Sequence, residues 1–600
     1  MSYIAPIKDM MFVMKELAGL ERVATLPGFE EATGETAQAV LAEVAKFCDE
    51  VLAPLNAQGD RNPSTWCSGE VTAAPGFKAA FRQFSEGGWQ GLMHPVDYGG
   101  QGLPKLIATP CLEMMKAANL SFSACPSLTD GAIEALLIAG SQAQKQLYLP
   151  KLVSGAWTGT MNLTEPQAGS DLALLRARAE PQSNGLYKIF GTKIFITWGE
   201  HDMAENIVHL VLARTPDAPE GVKGISLFIV PKFLVNEDGS LGERNDVHCL
   251  SIEHKLGIKA NPTAVLQYGD NGGATGYLIG EENHGLEYMF IMMTAARFSV
   301  GMEGIGVSGR AYQKAAAYAK ARVQGRPADG SARHAVAIIH HPDVRRMLAT
   351  MRALTEGARA LAYVAAGHCD IAHRHPDPAT RAEHHALYEF MVPVIKGWGT
   401  ELSLEVTGLG VQVHGGMGFI EETGAAQYYR DARILPIYEG TTAIQANDLV
   451  GRKTVRDGGA VAKTILAQID QTIAALQAHV SYESSAVFPA LHRHLATGRC
   501  ALANAIEFMI AHFRSDPNAA LIGSVPYLKL TGIVLCGWQM GRALLVAADR
   551  MDEDPSFYGA KIATAHFYAT HVLPQAAALE STILSGSGAQ GVLALAEDQF

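Results

Sequence analysis

The hydrophobic period changes twice along this chain, and that restricts the fold more than any single motif. From Val40 onward Leu41, Val44, Phe47, Val51, Leu52 and Leu55 recur at helical spacing, and the helix is expected to end at Pro54 and the turn-rich run 59–63. Helical stretches follow at 76–87, 105–119 and 130–139, with the glycine-rich loop 94–102 separating two of them. Beyond about residue 155 the period falls to two. Tyr187 and Ile189 alternate, Gly191-Thr192 reads as a turn, and Ile194 and Ile196 alternate again, which predicts a hairpin. The alternation puts Phe195 and Thr197 together on the opposite face. Residues 207–212, 225–230 and parts of 247–279 read as further strands. Helical period returns at Gly285, over 286–322, 344–366, 391–409 and 442–452, which by number and length makes a four-helix bundle.

Six hundred residues exceed what one core can hold. The expected fold is a multidomain α+β chain with an N-terminal extension (1–37), a helical domain (38–155), a mostly β middle domain (156–280), the bundle (281–453) and an additional helical domain (454–600). Asp457-Gly458-Gly459 reads as the linker into the last part, and Val461, Ile465, Leu466, Ile469, Ile473, Leu476 and Val480 form its first apolar stripe. A net charge of -12 argues against a nucleic-acid partner, whose phosphates need a basic face. Eight scattered cysteines without a CxxC pair indicate reduced thiols and no zinc site. Residues 1–20 carry neither a signal-peptide core nor a transit pattern. The apolar run 530–548 is interrupted by Gln539 and Arg542, so it reads as a core helix and no stable membrane insertion is expected.

Two short stretches carry chemistry. In LPIYEGTTAIQ (435–445), Pro436 breaks the preceding segment and Gly440 frees the turn. Thr442 and Gln445 have capping-box spacing, which starts a helix at Thr442. Glu439 then sits in a fixed loop beside the positive end of a helix, a setting that suits a general base and equally an acid that only complements the dipole. In TEPQAGSD (164–171), Pro166, Ala168 and Gly169 permit close approach of a flat or phosphate-bearing ligand, though a surface turn has the same composition. GSGAQG (586–591) matches GxGxxG but has no βαβ unit around it and reads as a helix C-cap. His334, His340, His341, His368, His373, His375, His384 and His385 lack metal-ligand spacing; most fall in or near polar, Pro-bearing loops, and solvated histidines are expected. No GxSxG or Cys-His signature points to hydrolysis.

TEPQAGSD and YEGTTAIQ (438–445), in this α–β–α order, resemble the acyl-CoA dehydrogenase family. KIFITWG (193–199), KLGIKANPT (255–263), GEENHGL (280–286) and QVHGGMGF (412–419) support the resemblance, which spans about residues 40–453. The extension and extra helices resemble a subgroup that includes bacterial fatty acyl-CoA and 3-methylmercaptopropionyl-CoA dehydrogenases. The resemblance implies bound FAD and α,β-dehydrogenation of an acyl-CoA thioester. Glu439 would take the α-proton while hydride leaves the β-carbon for flavin N5. The base's own N–H and a ribityl hydroxyl would stabilise the enolate, at roughly 3–4 kcal/mol per donor. Carried over by position, Met161, Leu163, Thr164, Gly169, Ser170, Phe195, Thr197 and Thr441 would contact FAD. Arg322, Gln324, Gln412, Gly415 and Gly416 would bind it across the interface of a homodimer. Ser170, Thr294, Arg297, Tyr438 and Gly440 would face the substrate. Met161 and Gly325 stand where aromatics are common in the family, and Ala443 replaces a frequent polar contact. Ala296 removes the alternative base position before Arg297. An electron-transfer flavoprotein would accept the electrons of fatty-acid β-oxidation in the bacterial cytoplasm. The small residues of 121–128 suggest room for a medium or long acyl chain. The alternatives are the thioether substrate, an acyl-CoA oxidase, and a flavin-bearing DNA-binding relative that the acidic C-terminal region disfavours.

Overall fold

The structure is a computed structural model and describes residues 3–600. Its first quarter is helical: α1 (Ile7–Phe12, prolonged by a π turn), α2 (Gly34–Phe47), α3 (Ala53–Arg61), α4 (Phe77–Glu86), α5 (Lys105–Ala118), α6 (Leu120–Ala139) and α7 (Gln142–Val153). Side chains of Thr33, Asn119 and Ser141 cap α2, α6 and α7. Pro54 does not end a helix. A π turn at Cys48–Leu52 carries the chain into α3, and Pro54 sits in the first turn of α3, where a missing N–H costs nothing. Because Asn119 caps it, α6 starts at Leu120 rather than at Asp130, and the small residues Ser121, Ser123, Ala124 and Cys125 are packed into the core.

The middle of the chain folds into an eight-stranded sheet: β1 (Trp157–Asn162), β2 (Arg178–Pro181), β3 (Tyr187–Thr197), β4 (Asn206–Ala213), β5 (Ser226–Pro231), β6 (Val247–Ile252), β7 (Thr263–Tyr268) and β8 (Ala274–Leu278). The strand order is β6-β7-β3-β8-β5-β4-β1, with β2 beside β3, so β1 is an edge strand. The expected hairpin at Gly191-Thr192 does not form; β3 runs unbroken from Tyr187 to Thr197. Gly191 has φ +134°, and Ala177 passes so close that a Cβ there would lie 3.0 Å from its Cα. Glycine marks a close approach here, not a turn. A bulge follows: Lys193 pairs with Leu266 and Ile196 with Ala264, leaving two residues of β3 opposite one of β7. Phe195 lies in that bulge with φ +59°. Ile196 is buried, and Phe195 and Thr197 flank it outside the core.

The bundle comprises α8 (Gly285–Ala321), α9 (Pro342–Arg374), α10 (Pro378–His414), the short α11 (Ala425–Ala432) and α12 (Thr442–Asp448). A further helical layer follows: α13 (Ala460–Ala478), α14 (Val487–His512), α15 (Ser524–Asp549), α16 (Pro555–His571) and α17 (Gln575–Leu584). α15 is long and apolar enough to cross a membrane, as are α6 and α8, yet 83% of its most apolar window is buried inside the protein. Gly586 lies in a 3-10 turn directly after α17, a helical context without the strand that a nucleotide loop needs. All eight cysteines are free thiols.

One buried ionic cluster ties four parts of the chain together. Arg359 of α9 reaches Asp9 of α1 at 2.7 Å and donates through Nε to Glu113 of α5 at 2.9 Å. Tyr363 donates to Glu113 at 2.7 Å. Lys561 of α16 pairs with Asp9 and lies 2.8 Å from Glu356 of α9. Among the described residues no group of three or more His, Cys, Asp or Glu is placed to hold a metal ion. Of the histidines singled out in the sequence, His368 and His384 are not solvated loop residues. α9 and α10 extend to Arg374 and from Pro378, which shortens the polar stretch to a turn and brings the two Nδ1 atoms to 2.7 Å inside the protein.

Candidate active site

The chain leaves α11 through overlapping turns, and Thr442 N–H donates to Pro436 O at 3.0 Å to close the loop. Glu439 and Gly440 then adopt left-handed conformations in succession, with φ +53° and +88°. For a glutamate that geometry costs about 1–2 kcal/mol and persists only when the surroundings impose it. A Cβ at position 440 would lie 2.6 Å from Gln445 Nε2, so Gly440 is required twice over. The helix does begin at Thr442, but through different bonds from those the spacing predicts. Thr441 is the N-cap, accepting from Ile444 N–H at 3.3 Å. Gln445 donates to the carbonyls of Glu439 and Gly440 at 3.3 and 3.2 Å, and Thr442 donates to Glu401.

Lys396 of α10 is buried beneath this turn and donates to Leu435 O at 2.9 Å and Gly440 O at 2.6 Å. Arg297 of α8, also buried, lies 3.6 Å from Asp448 of α12. Burial raises the Glu439 pKa above the ordinary glutamate value; Lys396 and Arg297 oppose that rise and Glu303 adds to it. Burial also pushes Lys396 down to about 8, against the pull of Glu439 and Glu303. Behind the turn, Tyr438 donates to Glu303 of α8, which lies 3.2 Å from Lys116 of α5; Lys116 donates to Ser127 of α6 at 2.8 Å. Lys116, Glu303 and Lys396 were not among the residues the sequence singled out. Their signal is a charge at the core-facing position of an apolar helix, which is almost never buried unless paired.

The other half of the site hangs from the edge strand β1. Residues 163–171 leave its C-terminal end, pinned by Glu165. That carboxylate accepts from Arg176 N–H at 2.7 Å and Ala177 N–H at 2.9 Å, and faces Lys193 Nζ at 2.8 Å. Burial alone would raise the Glu165 pKa, but Lys193 and these bonds hold it below the usual value. Lys193 also donates to Leu163 O at 3.1 Å, and Ile194 N–H donates to Thr164 O at 2.9 Å. The loop after β1 and the bulge of β3 are thereby one unit, which brings Leu163 and Thr164 beside Phe195 and Thr197. Phe195 is 59% exposed, unusual for an aromatic on a strained bulge. Met161 and Met292 of α8 come together against Gly131 of α6. One helix, α8, therefore runs from the end of β1 past the half-buried Thr294 to Arg297 at the Glu439 turn. Gly169 and Ser170 are exposed, and no atom of the chain lies within 4 Å of a Cβ built at Gly169.

Arg322, Gln324, Gln412, Gly415 and Gly416 do not join this group. Arg322 follows the last turn of α8, roughly 38 Å along the helix from Arg297. Gln412 ends α10 at the same end of the bundle, where Tyr318 stacks on His414 with centroids 4.4 Å apart. All five are exposed, and nothing in the chain lies within 4 Å of Cβ atoms built at Gly415 or Gly416. Phe419 stands 86% exposed beside them.

The residues around β1 fit a flavin. They offer an exposed aromatic face, an open glycine backbone and a rigid loop beside a buried carboxylate. Family models match four consecutive stretches of the chain: Acyl-CoA dehydrogenase, N-terminal domain (34–156), middle domain (160–270) and C-terminal domain (283–453), then Acetyl-CoA dehydrogenase C-terminal like (465–594). The chain is 53% identical to the 3-methylmercaptopropionyl-CoA dehydrogenase of Ruegeria pomeroyi, over 97% of this chain and 98% of that protein. It is 35% identical to the broad-specificity linear acyl-CoA dehydrogenase FadE5 of Mycobacterium tuberculosis, over 95% and 96% of the two chains. Among solved structures, the Bacillus anthracis acyl-CoA dehydrogenase complexed with FAD superposes with a TM-score of 0.72 at 20% identity, covering 94% of this chain and 90% of that one, which speaks for the fold alone. With three domain matches in order and relatives alike from end to end, this chain belongs to the acyl-CoA dehydrogenase family, FAD-dependent oxidoreductases that act on the CH–CH bond of an acyl-CoA.

Proposed function

We propose that the protein dehydrogenates a short acyl-CoA between its α and β carbons, with 3-methylmercaptopropionyl-CoA as the leading substrate. The carrying observation is the 53% identity to the Ruegeria pomeroyi enzyme over nearly the whole of both chains. A short acyl group also suits the charged pair Lys116–Glu303 behind Tyr438, which would meet a long apolar tail with buried charge. The second reading, a saturated linear fatty acyl-CoA, rests on the likeness to FadE5.

Bound FAD supplies the acceptor for the hydride that leaves the β-carbon. Glu439 removes the α-proton. Its raised pKa makes it a stronger base, and an apolar acyl group covering it raises the pKa further. Arg297 and Lys396 oppose that rise and favour the carboxylate form. The Glu439 N–H has no acceptor among the described residues, and we assign it to the thioester carbonyl, where one such donor contributes roughly 3–4 kcal/mol to the enolate. Met161, Leu163, Thr164, Gly169, Ser170, Phe195, Thr197 and Thr441 hold the flavin end. Ser170, Thr294, Tyr438 and Gly440 face the substrate. The remote Arg322, Gln324, Gln412, Gly415 and Gly416 are too distant to serve the same flavin, so they hold the cofactor of a second copy in a homodimer; the exposed Phe419 supports that face as the contact. An electron-transfer flavoprotein then takes the electrons.

The test is dye-coupled dehydrogenation of straight-chain acyl-CoAs from propionyl to palmitoyl, together with 3-methylmercaptopropionyl-CoA. A highest kcat/KM on the thioether supports the leading reading. A peak at a straight-chain substrate replaces it with the second, and no turnover by flavin-replete enzyme on any of them rejects both.

A further inference from the structure

A cavity of about 580 Å³ opens where the N-terminal extension, the bundle and the added helices meet. None of its lining residues belongs to the site around Glu439. Its size is that of a small-molecule site. Its lining mixes the apolar Leu17, Val364, Ile371 and Leu545 with Arg22, Arg542, His368 and His384, and Val364, His368 and Ile371 follow one another along a single face of α9.

The hydrogen bonds of these polar residues leave only donors. An arginine cannot accept, so Arg22 Nη2 donates to His384 Nε2 at 3.4 Å. His384 must then carry its proton on Nδ1 and donate it to His368 Nδ1, 2.7 Å away. His368 in turn carries its proton on Nε2, which has no acceptor among the described residues. Arg542 donates to Leu17 O at 2.6 Å and Gln539 Oε1 at 2.8 Å, and the buried Gln539 Nε2 finds no acceptor. Neither Arg22 nor Arg542 has a carboxylate within ion-pair distance among the described residues. The only acid on the lining, Glu16, is engaged by Arg550 at 2.9 Å. The partly buried Arg542 and the exposed Arg22 thus line one cavity with no free carboxylate beside them, in a chain of net charge -12.

We infer that this cavity binds a small amphiphilic anion, its head on Arg22 and Arg542 and its alkyl part along the apolar residues of the lining. A bound anion would bridge the extension to the added helices and stabilise the whole molecule. Full-length holoenzyme is titrated with octanoate, octyl phosphate and inorganic phosphate, following both the melting temperature and the flavin absorption band. The expected result is a saturable rise in melting temperature with at least one octyl compound and an unchanged flavin band. The stronger of the two identifies the head group. Binding should weaken about tenfold or more in Arg22→Gln, a largely exposed position that leaves the fold intact, and in Arg542→Lys, which keeps a charge but loses the fork. The proposal is overturned if neither octyl compound binds, if the flavin band moves with the titration, or if Arg22→Gln binds like the wild type. It is equally overturned if inorganic phosphate binds as tightly as octyl phosphate, since the apolar residues would then do nothing.

Discussion

At the scale of single residues, the buried carboxylates near the flavin have separable roles. Glu439→Gln keeps the shape of the turn and removes the base, so flavin-replete variant should lose about 10²–10⁴-fold in the rate of flavin bleaching by substrate, read by stopped-flow absorbance. A variant that bleaches at the wild-type rate would exclude Glu439 as the base. Glu303 acts at a distance. Its negative charge raises the Glu439 pKa, and Lys116 balances it. The base works ionised, so kcat/KM rises with pH through its pKa. Glu303→Gln removes a like charge and leaves Lys116 unmatched, and both changes favour the Glu439 carboxylate. The acid limb of the pH profile should move to lower pH, with little effect on bound flavin. An unmoved limb would reduce Glu303 to packing.

At the scale of elements, the loop after β1 depends on a bond from another strand. Lys193→Met leaves Glu165 buried without its cation, which typically costs about 3–5 kcal/mol, and removes the side-chain bond to Leu163 O, so that only the Ile194 N–H still ties this loop to β3, at Thr164 O. Purified variant should carry less FAD than wild type and melt earlier, checked by flavin-to-protein absorbance and thermal denaturation. Retained flavin with unchanged melting would show that Glu165 needs only its backbone donors. The same elements show what was legible beforehand. The long helices and buried strands β4 and β5 announce themselves by period, because burial of one face or of both leaves a pattern in the residues. The bulge at Phe195 and the long β3 do not, since both depend on partners: Ala177 passes against Gly191, and β7 fixes the register. Glu439 and its loop were legible from local turn chemistry. Lys116, Glu303 and Lys396 were not, because a charge within an apolar helix acquires meaning only when another helix brings its counterion.

At the scale of the whole molecule, the extension and the added helices are fastened to the bundle by charge as well as by packing. Asp9 is the point where they meet, contacting Arg359 of α9 and Lys561 of α16. Burial by itself would raise its pKa, yet Lys561 and Arg359 hold it down at about 2. A carboxyl depressed in this way stabilises the fold fully above its unfolded value near ~4, and that contribution fades as pH falls from there through about 2. Asp9→Asn removes one anion of the cluster and leaves Arg359 with Glu113 and Lys561 with Glu356, a buried positive charge in excess, so the loss at neutral pH should be about 3–5 kcal/mol. The exposed pair Lys8–Asp554 spans the same two parts of the chain and serves as the control, because a surface pair contributes only about 0–1 kcal/mol. Urea denaturation of wild type, Asp9→Asn and Lys8→Ala, repeated between neutral pH and pH 3, separates the two kinds of contact. Asp9→Asn should shift the midpoint strongly at neutral pH and less at pH 3, where the wild type has begun to lose the same charge, and Lys8→Ala should barely move it. If the two variants behaved alike, apolar packing alone would join the extension to the rest, and the charge balance of the cluster, Asp9, Glu113 and Glu356 against Arg352, Arg359 and Lys561, would have no energetic part in it.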